Sequence, residues 1–215
     1  MFRKLNLIFV GIVVFAFATT TFASVQLNLS TGVNVGAVGN PLFSTSVGTR
    51  DDYWFVLSTP AGAASANTNA WIKGGMGQWN FIQGTLPIYA NSESAGWYEY
   101  ERCFCISDVT GATLDVVMRA DNKATLYLNN YYGTPLNTLT NDTFNTAKPA
   151  ATSQYTSANG LKLGKNCIRV RVNNEGSITA FALLAILSSK SAFDTFDERN
   201  TCCSKKEEVF TRPLR

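Results

Sequence analysis

The feature that most narrows what this chain can fold into is a two-residue alternation of apolar and polar side chains, repeated three times between Ala112 and Leu187. A strand turns successive side chains to opposite faces, so a strand with one buried face shows this period and a helix does not. In residues 112–119, Leu114, Val116 and Met118 fall on one face, and Thr113, Asp115, Val117 and Arg119 on the other. Residues 120–123 follow, where Asp121 and Asn122 accept turn geometry and hydrogen-bond locally. Ala124, Leu126 and Leu128 then resume the alternation, so a β-hairpin is expected there. Residues 165–173 repeat it with Ile168, Val170 and Val172 inward and Arg169 and Arg171 outward. A second turn, 173–176, leads into the apolar run 178–187.

The first half agrees with this. Short apolar runs at 33–38, 53–57 and 70–72 are set among Gly, Ala, Ser, Thr and Asn, with loops at 59–69 and 73–77. Short strands separated by frequent turn residues read as a sandwich or jelly roll. No helical apolar period is sustained in this half, and no internal repeat is present. Residues 131–160 read as a long polar loop, a place where function often resides. It contains the glycosylation sequon Asn141-Asp142-Thr143, and a second sequon is Asn28-Leu29-Ser30.

Two stretches, Arg119-Ala-Asp-Asn-Lys-Ala-Thr-Leu-Tyr-Leu-Asn-Asn130 and Leu161-Lys-Leu-Gly-Lys-Asn-Cys-Ile-Arg-Val-Arg-Val-Asn-Asn174, resemble the galactose-binding-domain-like jelly rolls attached to many secreted and glycoside-hydrolase proteins. That family shows A-D-N before a strand ending in L-N-G, then L-x-x-G-x-N before a strand ending in V-x-N. Ala70-Trp-Ile72 and Tyr98-Glu-Tyr-Glu-Arg-Cys-Phe104 are similar to its entry motifs, so the likeness spans residues 53 to 187. Asn130 departs from the pattern, standing where the family has Gly, although Asn also enters left-handed turns. The resemblance implies an all-β, jelly-roll β-sandwich with carbohydrate, such as a cell-surface glycan, as ligand. Its motifs are strand and turn signatures and bring no sugar-contacting residues with them.

Residues 1–23 read as an export signal. Arg3 and Lys4 precede a run that is apolar except for Asn6, too short for a comfortable membrane span, and Thr21-Phe22-Ala23 offers small residues for cleavage. Cleavage after Ala23 would give a secreted, extracellular chain of 215 − 23 = 192 residues, with a sandwich domain at 24–188, a tail at 189–215 and no membrane span. The formal charge of +3 would then fall to 16 − 15 = +1. That balance, without any basic run, excludes a nucleic-acid partner recognised by bulk charge.

All five cysteines, Cys103, Cys105, Cys167, Cys202 and Cys203, fall after the export segment, where disulfides persist. Cys103 and Cys105 share a strand face two residues apart and cannot comfortably bridge each other. One bridge is expected from this pair to Cys167 and a second from it to Cys202 or Cys203, leaving one thiol over. Zinc is disfavoured, since the chain has no histidine and no two separated Cys-x-x-Cys pairs.

The absence of histidine also removes the ordinary Ser-His and Cys-His dyads. Glu99 and Glu101 lie on one strand face rather than across a cleft, and no phosphate loop is present. No enzyme activity, catalytic residue or cofactor is expected. Jelly rolls of the resembled type often hold a structural calcium, but the Asp121-Asn122 turn offers one carboxylate and a turn hydrogen bond accounts for both residues.

Trp54 and Trp71 sit in apolar strand patterns and read as core. Trp79 and the Tyr131-Tyr132 pair follow loops and turns, where aromatic faces can stack on sugar rings, and the amides of Asn129 and Asn130 can bind hydroxyls. These five residues are the candidate ligand contacts of a non-catalytic recognition module. The rival expectation is an extracellular structural subunit that self-associates through exposed aromatics and disulfides.

Overall fold

In the computed structural model the described residues are 25–35, 41–43, 47–63, 66–74, 82, 85–129, 137–139, 150–176 and 178–189. The expected export segment, the Asn141 sequon and the tail beyond Ser189 lie outside them. Among the described residues there are thirteen strands and no helix. Eleven strands form one continuous, curled antiparallel sheet. Its first layer runs β10 (Asn137–Leu139), β9 (Lys123–Leu128), β12 (Gly164–Asn174), β7 (Gly96–Ile106) and β4 (Arg50–Ser58). Two short strands, β5 (Thr68–Ile72) and β6 (Ile88–Tyr89), carry the sheet around to its second layer. That layer is β13 (Ala180–Ser189), β8 (Thr113–Asp121) and β11 (Ala151–Tyr155), with β1 (Val25–Asn28) also paired to β13. A separate ribbon pairs β2 (Val33–Val35) with β3 (Pro41–Phe43). The architecture is the all-β jelly-roll sandwich that the alternation pattern and the resemblance both imply.

The register turns alternation into a core. Leu114, Val116, Met118 and Ala120 of β8 oppose Leu187, Ala185, Leu183 and Phe181 of β13, while Ile168, Val170 and Val172 of β12 oppose Leu128, Leu126 and Ala124 of β9. All of these are buried, and they face one another between the layers. Phe181 joins the two halves, with its ring 5.4 Å from Trp54 edge-on and 4.7 Å from Tyr100. Such tilted and edge-on pairs add to the stabilisation from burial alone.

Two expectations are corrected here. The turn at 120–123 does not make a hairpin: β8 pairs with β13 and β11, and β9 with β12 and β10. The chain crosses between layers there, and it crosses back in the same way from β12 to β13. The two crossings are tied together, because the Asn122 amide donates to the Asn173 carbonyl (3.2 Å) and the Glu175 amide donates to Asn122 Oδ1 (2.7 Å). Alternation is equally compatible with a hairpin and a crossing, since both keep the apolar face on the core. The second correction concerns residues 131–160, which contain two edge strands, β10 and β11. In β11 only Tyr155 is buried, and the other residues are small or polar, so the segment lacks the apolar signal of a strand.

The core-facing row of β7 holds an unexpected residue. Arg102 is buried between Tyr100 and Phe104, its guanidinium donating to the Ser30 carbonyl (3.0 Å) and the Asn28 carbonyl (3.2 Å) and lying 4.6 Å over the Tyr53 ring. Its charge is answered by Asp51, also buried. β4 is irregular at this point: the register with β5 shifts between Arg50 and Phe55. Asp51 accepts the amides of Tyr53 (2.9 Å) and Trp54 (3.1 Å), and also that of Gly32 (2.7 Å). Burial pushes the Asp51 carboxyl above its ordinary value, opposed by Arg102 and by these three amides.

Candidate functional site

The polar positions of β7 and β12 emerge together on the outer face of the first layer. Because β7 and β12 pair directly, Glu99 lies beside Arg171 and Glu101 beside Arg169. Both rows are ion pairs, Glu99–Arg171 at 3.4 Å and Glu101–Arg169 as a direct contact. Phe55 of β4 extends the Glu101 row on one side and Tyr127 of β9 on the other. One row further along, Trp97 stands beside Asn173, which in turn stands beside Lys123.

Trp97 is 42 % exposed, a large value for an indole on a sheet face. The guanidinium of Arg171 lies over its ring at 4.4 Å, within cation–π range. At the other end of the face Cys103 and Cys167 are directly opposed and joined by a disulfide. The result is a platform with an accessible aromatic ring, a stacked guanidinium and ion-paired acids beneath. An aromatic face takes apolar C–H surface, while planar polar side chains take hydroxyl or carboxylate oxygens.

Of the residues singled out by sequence, Trp79, Asn130, Tyr131 and Tyr132 lie outside the described residues. Asn129 is described, and its side chain is used inside the protein. Its Nδ2 donates to the Gly160 carbonyl and to Asn166 Oδ1, both at 2.8 Å, and its Oδ1 accepts the Cys167 amide at 2.8 Å. It also takes the left-handed conformation, with φ 61°. Trp54 is core, as expected, whereas Trp71 is half-buried on the other face of β5 from Ala70 and Ile72, with the Arg50 guanidinium 5.4 Å from its ring.

The Cys103–Cys167 bridge is the first of the two that the cysteine arithmetic called for. Cys105 is also disulfide-bonded, and Cys202 and Cys203 lie outside the described residues. Among the described residues, Glu101, Cys103 and Cys167 cluster closely enough to suggest a metal site. Both sulfurs are spent in the disulfide and Glu101 is paired with Arg169, so these atoms cannot act as a ligand set.

Sequence reasoning placed Arg171 on the outward face, but it neither singled out Trp97 nor brought the two together. The available signal was the register of two strands 74 residues apart at Trp97 and Arg171 (171 − 97), which local pattern does not fix.

No protein-family model matches the chain, and no curated protein matches it. Solved structures do show similarity. A family 35 carbohydrate-binding module from an environmental isolate is similar over 64 % of this chain and 92 % of that one, with 16 % identity and a TM-score of 0.36. TmCBM61, in complex with β-1,4-galactotriose, is similar over 64 % and 88 %, with 13 % identity and a TM-score of 0.38. An exo-β-1,3-galactanase from Phanerochaete chrysosporium is similar over 73 % of this chain and 32 % of its own, with 13 % identity and a TM-score of 0.33. At these values the likeness carries no argument, and what the chain binds has to be argued from its own residues.

Proposed function

We propose that the chain is a non-catalytic, exported recognition module that binds carbohydrate on the outer face of its first layer. The observation that carries this reading is the exposed Trp97 ring with the Arg171 guanidinium stacked on it and anchored by Glu99. A sugar ring has apolar C–H faces and an equator of hydroxyls, so an indole flanked by planar donors complements it on both counts. The non-catalytic part rests on the two acids nearest this platform. Glu99 and Glu101 stand side by side on one strand, each neutralised by an arginine, rather than opposite each other with room for a scissile bond.

Glycan-array screening of the full chain, followed by calorimetry on the best ligand, tests the reading. Trp97→Ala is expected to weaken binding roughly tenfold or more, on the order of 1–3 kcal/mol for loss of one stacking ring. Because Trp97 is 42 % exposed and lies on the outer face rather than in the core, its removal should lower unfolding stability by only about 1–2 kcal/mol. Silence on the array, together with concentration-dependent oligomers that dissociate in reductant, would favour a self-associating structural subunit instead.

A further inference from the structure

The two cross-strand ion pairs of the outer face are not symmetric toward solvent. In the first, the Arg171 side chain is 42 % exposed and Glu99 only 12 %; in the second, Arg169 is 30 % exposed and Glu101 18 %. The acids are sunk and the bases raised. Neutral sugars offer hydroxyls that donate as well as accept, so a site for them presents acceptors alongside donors. In these two pairs the carboxylate acceptors are already engaged by the arginines, and of the four side chains it is the N–H donors that stand further into the solvent.

Arg171 is well suited to use those donors. Its Nε faces inward, buried 3.4 Å from Glu99 at ion-pair distance, and its ring contact is with Trp97, so the exposed part of the side chain that a ligand meets is the terminal Nη pair. A guanidinium carries five N–H donors in a planar fork that matches a pair of anionic oxygens. Stacked on an indole and tethered by an acid, it is held in place before a ligand arrives, so little rotamer freedom is lost on binding.

We infer that the glycan read at this face is acidic, and that Arg171 takes the paired anionic oxygens of a sugar carboxylate or sulfate ester while the ring beside them contacts Trp97. This rests on the recognition reading above and adds the ligand's charge to it. The full chain is titrated calorimetrically with an oligogalacturonate, with its fully methyl-esterified form and with a sulfated galactan oligosaccharide, each at low and high salt.

One of the two acids is expected to bind at least tenfold more tightly than the neutral ester, as befits charge-assisted hydrogen bonds, with an advantage that shrinks in high salt. Which acid responds identifies the source of the anionic oxygens. Arg171→Gln should abolish that advantage, while Arg171→Lys should keep part of it. The comparison between acid and ester leaves the protein unchanged, so it stands even where a variant folds poorly. Equal affinity for acid and ester, still lost on Trp97→Ala, would overturn the acidic assignment and leave carbohydrate recognition intact. Failure of every acidic and neutral glycan to bind would overturn both.

Discussion

Arg102 occupies a position that alternation reserves for an apolar side chain, and its environment explains how the fold tolerates it. Two carbonyls, a tyrosine ring and a buried carboxylate surround the guanidinium, tying residues 28–32 to β7 and β4. Replacing it removes the cation and leaves Asp51 buried without its counter-charge, the costly way to break such a pair. Arg102→Met is therefore expected to lose about 3 kcal/mol or more at neutral pH. Without Arg102 the Asp51 carboxyl rises further above its ordinary value of 3.8, so between that value and the raised one the folded state binds more protons than the unfolded state. The variant's deficit should accordingly shrink as pH falls through that window, which urea unfolding across a pH series would measure. Asn166 is the opposite case, a residue whose identity was readable in the L-x-x-G-x-N motif although its task was not. Fully buried, it donates to the Lys162 (2.7 Å) and Gly164 (2.9 Å) carbonyls and accepts from the Lys162 amide and Asn129. Asn166→Ala leaves these groups unsatisfied and should cost about 2–3 kcal/mol in equilibrium unfolding.

Among the elements, strands were legible and their pairings less so. Residues 112–119 and 165–173 declared themselves because one face of each is apolar, and their inward residues are the ones that are buried. The link between β8 and β9 looks like a hairpin from its sequence, yet it crosses between layers, since the partner of β8 is β13, some sixty residues later. β11 was invisible because an edge strand with one buried side chain has little apolar pattern to show. The Cys103–Cys167 bridge staples β7 to β12 across a sequence separation of 64. Replacing both cysteines by serine should lower stability by about 2–5 kcal/mol and raise the denaturant slope, because the unfolded chain, freed of the cross-link, exposes more surface. With Cys105 also bridged, five cysteines less two disulfides leave one thiol. Thiol titration of the unfolded, unreduced protein should return that value, and a count of three would remove the second intrachain bridge.

For the molecule as a whole, the curled sheet and its single cluster of buried side chains leave no seam between the layers. Unfolding followed by tryptophan fluorescence and by far-ultraviolet circular dichroism should give coincident transitions, because Trp54 and Phe181 connect the two layers through one core. Non-coincident curves would show that a layer melts separately. The sequence by itself determined where β8, β9 and β12 run and which side chains they turn inward. It could do so because the two-residue period is a property of extended backbone that no distant contact needs to supply. Only the tertiary structure decided which strands pair, why an arginine lies in the core, and that Trp97 and Arg171 share one open face. Those outcomes depend on register between segments far apart in the chain, and alternating patterns that all look alike do not encode it locally.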